Sequence, residues 1–323
     1  MSNREKGLWC IFAGVLALLF LLSSTDLIIK EKKQEVYTVS VLVADASDEY
    51  YTNFRKGMDK AAEKFHADVS FISLYHANSA EEQIGLLQRE IRDGAEAVIL
   101  APVNETEIVM KLDEISPNCP IVLMGSSSVS DAVASTISID GYETGRTLAE
   151  KIAERESRDI PVWIFAEGLS YTGISDLYDG VRSVLEEEGF TLRLLEKENV
   201  DTFRSVIEGT VYPEASEVTI IALDTAALGE AAATIEGSSV YREHVTGLYG
   251  IGSTIGILRQ LDRGIISGLM VSNQYDTGYL SVRLAVEAAS GVRLKEQMQT
   301  ETLYIEKDDL KNREYEQLLY PIE

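Results

Sequence analysis

Residues 38–65 read TVSVLVADASDEYYTNFRKGMDKAAEKF, and this stretch decides the fold. Its first six residues, Thr38–Val43, form a β-branched apolar run of strand length. A polar turn follows, Asp45-Ala-Ser-Asp48-Glu-Tyr50-Tyr51. Phe54, Met58, Ala61 and Phe65 then recur at spacings of three and four, which is one face of an amphipathic helix. The strand does not alternate apolar with polar residues, as expected when both of its faces are covered. Strand, turn and helix in this order are the first unit of an α/β layer.

Working outward, the same unit repeats. Strands are predicted at Val69–Leu74, Ala97–Leu100 and Ile121–Met124, with a helix marked by Ile84, Leu87 and Ile91 between the first two. A second series predicts strands at Val162–Phe165, Thr191–Leu195, Val218–Leu223, Val245–Tyr249 and Gly268–Val271. Helices of the second series fall at about 171–188, 201–210, 225–235 and 253–263. Ser126–Ser138 lacks Pro and Gly runs and is read as a crossing strand between two halves. A helix at Thr277–Ala289 and one strand at Thr300–Ile305 complete the chain. The expected fold is two doubly wound parallel-sheet lobes, each large enough for its own core.

Upstream of this body, Leu8 to Thr25 is an uncharged run of 18 residues preceded by Arg4 and Lys6. That length is at the lower edge of what crosses a bilayer. An uncleaved anchor and a cleaved signal peptide both fit, although Ser23-Ser24-Thr25 is a poor cleavage site. The basic residues before the run place the N-terminus in the cytoplasm and the body outside. The chain of 323 residues carries a net charge of −24, from 53 acidic and 29 basic residues. Such a body repels phosphate backbones, which argues against nucleic acid as a partner. The two cysteines cannot build a disulfide framework, and Cys119 is expected as a buried thiol beside Pro120.

The motifs of catalysis are missing. His66, His76 and His244 have no second His or Cys at metal spacing. No nucleophile elbow and no P-loop occur. Gly250-Ile-Gly252-Ser-Thr-Ile-Gly256 approaches a dinucleotide fingerprint, but a tight turn with exposed helix amides explains it better. No cofactor is expected.

Ligands of open α/β sheets sit beyond the carboxyl ends of the strands. The turn holding Asp48, Tyr50 and Tyr51 lies there. Paired aromatics can stack on a sugar ring and a carboxylate can accept its hydroxyls. Equally, the tyrosines can be a hydrophobic staple with Asp48 as helix cap. Ser126, Tyr171 and Asp224 also follow strands, and Asp224 reads most simply as an N-cap. Several such loops converging between two lobes make a binding cleft.

The residues resemble the type-I periplasmic sugar-binding proteins, the family of ribose-binding protein and of lac-repressor effector cores, over about residues 37–310. Asp48-Glu-Tyr50-Tyr51 followed by Gly57 looks like the family's N-P-[FY]-[FY]…G opening, with Asp48 for Asn. Asn78-Ser-Ala-Glu-Glu-Gln83, Gly94-Ala-Glu-Ala-Val-Ile-Leu-Ala-Pro102, Ile139-Asp140-Gly141-Tyr142-Glu-Thr-Gly145 and Ser272-Asn-Gln-Tyr275-Asp-Thr-Gly278-Tyr279 look like four further family segments in the family's order. The resemblance implies three crossings between the lobes, a ligand in the cleft, hinge closure and no catalysis. It divides the chain into an anchor at 1–36, one lobe at 37–139 plus 274–302, and another at 140–273 plus 303–323. It points to Asp48, Tyr50, Tyr51, Ser126, Tyr171, Ser175, Phe203, Asp224 and Ser272 as ligand-facing. The chain departs from the family where sugar clamps usually stand: Gly125-Ser126, Ser175, Gly252 and Ser272 replace charged or amide residues. The implied partners are a small carbohydrate-like ligand, the membrane, and an ABC transporter permease or a sensor kinase. The rival expectation is a ligand-free interaction module that keeps the fold.

Overall fold

A computed structural model describes residues 3–24, 35–44, 49–76, 79–115, 117–128, 130–200, 202–211 and 216–320. The chain forms two compact units, 1–36 and 37–323. The first is the helix α1 (Asn3–Ser24), whose segment Arg4–Leu22 is long and apolar enough to cross a membrane. Its Leu8, Trp9, Ile11, Phe12 and Phe20 are all exposed.

The second unit begins with β1 (Tyr37–Val43), α2 (Thr52–Phe65), β2 (Ala67–Ser73), α3 (Ala80–Asp93), β3 (Ala97–Leu100), α4 (Glu105–Ile115), β4 (Ile121–Met124) and β5 (Val133–Ser138). It continues with α5 (Gly141–Ala153), β6 (Val162–Ala166), α6 (Ile174–Glu187), β7 (Leu192–Glu196), α7 (Phe203–Val211), β8 (Val218–Ala222), α8 (Thr225–Glu236), α9 (Ser239–His244), β9 (Val245–Ile251), α10 (Ile255–Asp262) and β10 (Gly268–Ser272). It ends with α11 (Gln274–Ala289), β11 (Gln297–Gln299), β12 (Thr302–Ile305) and α12 (Arg313–Leu319).

Two six-stranded sheets result, ordered β11-β5-β4-β3-β1-β2 and β12-β10-β9-β8-β6-β7. All pairings are parallel except β10 with β12. Both faces of each sheet are buried. Val39, Val41 and Val43 of β1 pack with Phe54 and Met58 of α2 and Val282 of α11. The intervening Leu42 packs on the opposite face with Leu87, Ile108 and Leu112 of α3 and α4. In the second sheet Ile164 faces Leu148 and Val181, while Phe165 faces Phe203 and Leu228. This two-sided burial is why the strands read as continuous apolar runs.

The helices begin where side chains can cap them. Ser79, Asp140, Asp224, Thr254 and Asn273 each accept a hydrogen bond from the amide three residues on. Each such cap contributes about 1 kcal/mol. Two helix pairs are notched by reciprocal glycines. Gly57 of α2 lies on the Tyr275 carbonyl of α11, and Gly278 of α11 lies on the Phe54 carbonyl of α2. Gly145 of α5 and Gly180 of α6 meet the Leu177 and Tyr142 carbonyls in the same way. A side chain at any of the four would have to separate the helices.

Two expectations need correction. Ser126–Ser138 is not one crossing strand: its second half is β5, a full member of the first sheet, and the crossing is the short segment 139–140. The strand expected at Thr300–Ile305 is β12, Thr302–Ile305, and an unexpected strand, β11 at Gln297–Gln299, precedes it in the other sheet. Residues 300–301 between them are therefore themselves a crossing. With the passages from β5 to α5 and from β10 to α11, the sheets are joined by three crossings. The crossings are hydrogen-bonded side by side. Thr300 N donates to Ser138 O at 2.9 Å, Asn273 N to Glu301 O at 3.3 Å, and the Thr144 and Thr302 hydroxyls meet at 3.0 Å.

Candidate functional site

The carboxyl ends of the two sheets face each other. Thr172 Oγ1, in the turn after β6, donates to Pro102 O, after β3, at 2.7 Å. Gly256 N, in the first turn of α10, donates to Glu49 Oε1, in the turn after β1, at 2.6 Å. Asn53 Nδ2 of α2 donates to Leu319 O of α12 at 3.1 Å. The strand-end turns of one lobe therefore touch those of the other, and residues on these turns are the candidates for a site.

On the first lobe, Tyr51 is 6% exposed and packs edge-on against Phe54 and Phe71 at 5.9 and 5.4 Å. It belongs to the core. Tyr50 is half-buried and lies edge-to-face on Tyr51 at 4.8 Å. The inner ring thus props the outer one. Asp48 lies outside the described residues.

Ser126 is 1% exposed. Its hydroxyl donates to Glu105 Oε1 at 2.6 Å, and Ser128 N donates to the same oxygen at 2.7 Å. Ser126 shapes the turn after β4 rather than offering a free hydroxyl.

On the second lobe, both oxygens of Asp224 are engaged. Oδ1 accepts from Ala227 N at 2.8 Å, which is the α8 cap, and Oδ2 accepts from Glu167 N at 2.7 Å. Burial pushes this carboxyl above the ordinary carboxylate range, although its amide partners pull the other way. Burial also raises Glu167, and the charge of Asp224 adds to it. Leu169 N donates to Glu196 Oε1 at 2.8 Å, so the turn holding the half-buried Tyr171 is pinned at both ends. Asp176, in the first turn of α6, is raised by burial and then by the charge of Glu105 on the other lobe. Lys197 is paired with Glu230 and stands over the Phe203 ring.

The remaining sequence candidates are scattered. Ser175 is exposed in the first turn of α6. Ser272 ends β10 at a crossing, where its hydroxyl accepts from Gln274 Nε2 at 3.0 Å. Phe203 is a correction: it is fully buried and stacks on Phe165 at 4.6 Å and 12°. It presents no surface to a ligand and instead fills the second lobe's core.

The structure thus brings Tyr50, Tyr171 and Asp224 to the facing edges, and adds Glu49, Glu105, Glu167 and Thr172. The strand-end turns are rich in carboxylates and poor in cations. Gly252 has φ 146°, a left-handed value suited to glycine, and it leads into the capped turn of α10. That geometry fits the tight turn with exposed amides expected of the glycine-rich stretch. Among the described residues, no three His, Cys, Asp or Glu side chains are grouped to hold a metal ion. His76 pairs with Glu82, and His244 bonds Val240 O.

Comparison with known proteins agrees with this fold. No curated protein matches the chain significantly. Among solved structures, GanP, a glucose-galactose binding protein from Geobacillus stearothermophilus, is 20% identical, with 86% of this chain and 99% of that one covered and a TM-score of 0.74. A carbohydrate transporter solute binding protein from Agrobacterium Radiobacter, in complex with D-arabinose, is 18% identical over 89% of this chain and 100% of that one, with a TM-score of 0.79. The XylFII-LytSN complex contributes a chain 13% identical, covering 85% and 99%, with a TM-score of 0.73. At these identities the likeness is one of fold. The sequence itself matches the model of the periplasmic binding protein domain over residues 39–292, and the chain belongs to that family.

Proposed function

We propose that this protein is an extracytoplasmic solute-binding protein, held to the membrane by α1, that captures a small carbohydrate-like ligand between its lobes. The observation that carries this reading is the meeting of strand-end turns from both sheets. Tyr50, propped on Tyr51, and the carboxylates near these turns support that reading. The lobes are 37–139 with 274–302 and 140–273 with 303–323. The sugar complexes among the structural neighbours support the ligand class. An ABC transporter permease or a sensor kinase is the partner to which the loaded protein is presented. The solute-binding and LytSN-bound neighbours support those two kinds. Turnover is not part of this reading.

The body carries its own cores, so residues 37–323 serve for the test. Thermal unfolding is followed against pentoses, hexoses, polyols, disaccharides and nucleosides. A ligand at about 100 times its Kd adds about 2.7 kcal/mol, a rise of several degrees. One sugar class shifting the melt supports the proposal. A cooperative melt that no member shifts overturns it and leaves a ligand-free interaction module.

A further inference from the structure

Glu49 is the fifth residue of the turn Asp45–Tyr51, directly before Tyr50. Its side chain leaves its own lobe. Oε1 accepts from Gly256 N at 2.6 Å, at the second residue of α10 on the opposite lobe. Thr254 already caps α10 by accepting from Ile257 N at 3.3 Å. The Glu49 carboxylate therefore takes a second free amide of the same turn. Residue 256 is a glycine, and a Cβ there would stand 3.3 Å from the Glu49 oxygen, so the small residue lets the carboxylate come in. A negative charge at a helix N-terminus is attracted by the helix dipole as well as by the hydrogen bond.

Two neutral bonds accompany it. Asn53 to Leu319 O lies one helical turn along α2, and Thr172 to Pro102 O lies between other turns of the same two lobes. Together they tie the lobes at separate places with groups that all belong to the protein. A contact made only when the lobes are shut can shift the equilibrium only toward the shut state.

We propose that Glu49 is an interlobe latch: its carboxylate, on the N-terminus of α10, favours the closed arrangement of the lobes. The inference goes beyond the ligand reading and does not rest on it. A ligand panel that shifts nothing leaves the latch standing, and a latch that fails leaves sugar binding standing.

The test uses the full chain in lipid nanodiscs without ligand, with Cys10→Ser and single-molecule energy transfer between dyes at Met110→Cys and Val240→Cys. These positions are exposed and lie on different lobes. Cys119 stays silent, since it is 8% exposed and burial pushes its thiol up to about 11. The wild-type side chain at 49 should give a larger closed population than either variant. Glu49→Ala should lower the closed-to-open ratio about tenfold, equivalent to about 1.4 kcal/mol. Glu49→Gln keeps an acceptor but no charge, and should fall between the two. Added salt should lower the ratio with Glu49 present and leave Glu49→Ala unmoved. A Glu49→Ala ratio equal to wild type, or a Glu49→Gln ratio equal to wild type, overturns the proposal. Glu49 is exposed, so neither variant disturbs folding.

Discussion

Replacing Tyr50 and Tyr51 one at a time should separate two roles that the sequence leaves fused. Tyr51 is 6% exposed and sits among Phe54, Phe71 and Tyr50. Truncating a buried aromatic to Ala costs about 3–5 kcal/mol. Each kcal/mol lowers the melt of a body this size by roughly 2 °C, so Tyr51→Ala should melt about 6–10 °C lower. Tyr51→Phe keeps the ring contacts and should stay within about 2 °C. Tyr50 is half-buried and loses chiefly its edge-to-face pair, about 1 kcal/mol or roughly 2 °C. Its cost should appear in binding. Losing one aromatic face against a ligand removes about 1.5–3 kcal/mol, or roughly ten- to hundredfold in Kd. The assay is thermal unfolding of residues 37–323 beside calorimetric titration with whichever sugar the panel selects. Two results would refute the reasoning. One is a Tyr51→Ala melt within 2 °C of wild type. The other is unchanged affinity in Tyr50→Ala.

Asp224→Ala should cost about 2–4 kcal/mol, because it removes the α8 cap and strands the Glu167 amide; denaturant unfolding reads this. Asp224→Asn, which can keep the cap oxygen, should cost less. Gly57→Ala drives a methyl into the Tyr275 carbonyl and should lose about 1–3 kcal/mol by the same assay, whereas Gly85→Ala, in open space on α3, should gain about 0.5–1 kcal/mol. The protein should melt higher just above the ordinary carboxylate range than at neutral pH. Glu167, Asp176 and Asp224 have folded values raised by burial. The folded state therefore holds more protons just above the ordinary carboxylate range, and stability falls as pH rises through the raised values. A melting scan across pH that rises toward neutral would contradict this.

The fold was legible because burial on two faces leaves its mark in single strands. Ala97–Leu100 and Ile121–Met124 carry nothing but apolar residues and read to the residue. The strand β5 escaped because Ser135 and Thr136 are polar yet about 3% exposed. Ser135 is satisfied by donating to Glu296 O at 2.6 Å, a partner 161 residues away that no local pattern announces. The strand β11 escaped because Gln297-Met298-Gln299 is short and mostly polar, and its one partner, β5, lies far back in the chain. At the site, Asp224 was legible as a cap since a strand precedes it and a helix follows. Phe203 misled because an aromatic at a helix start looks the same whether it faces a cleft or a core. Its stacking partner Phe165 lies on β6. Glu49 was invisible for the plainest reason: its partner amide is 207 residues on.

The neighbouring places of Glu49 and Tyr50 have a mechanical consequence. The reciprocal glycines lock α2 to α11 and α5 to α6, so each helix pair moves with its own sheet as one body. Opening must then be taken up at the three crossings and at the few bonds between strand-end turns. The turn before α2 carries both the aromatic offered to a ligand and the carboxylate that reaches α10. A ligand that leaves Tyr50 on its Tyr51 prop leaves Glu49 in place, and the latch adds to its binding. A ligand large enough to lift Tyr50 also lifts Glu49, and it must supply from its own contacts what the latch gave. The same sugar series should therefore show its steepest fall in affinity with size when Glu49 is intact, and a shallower one in Glu49→Ala.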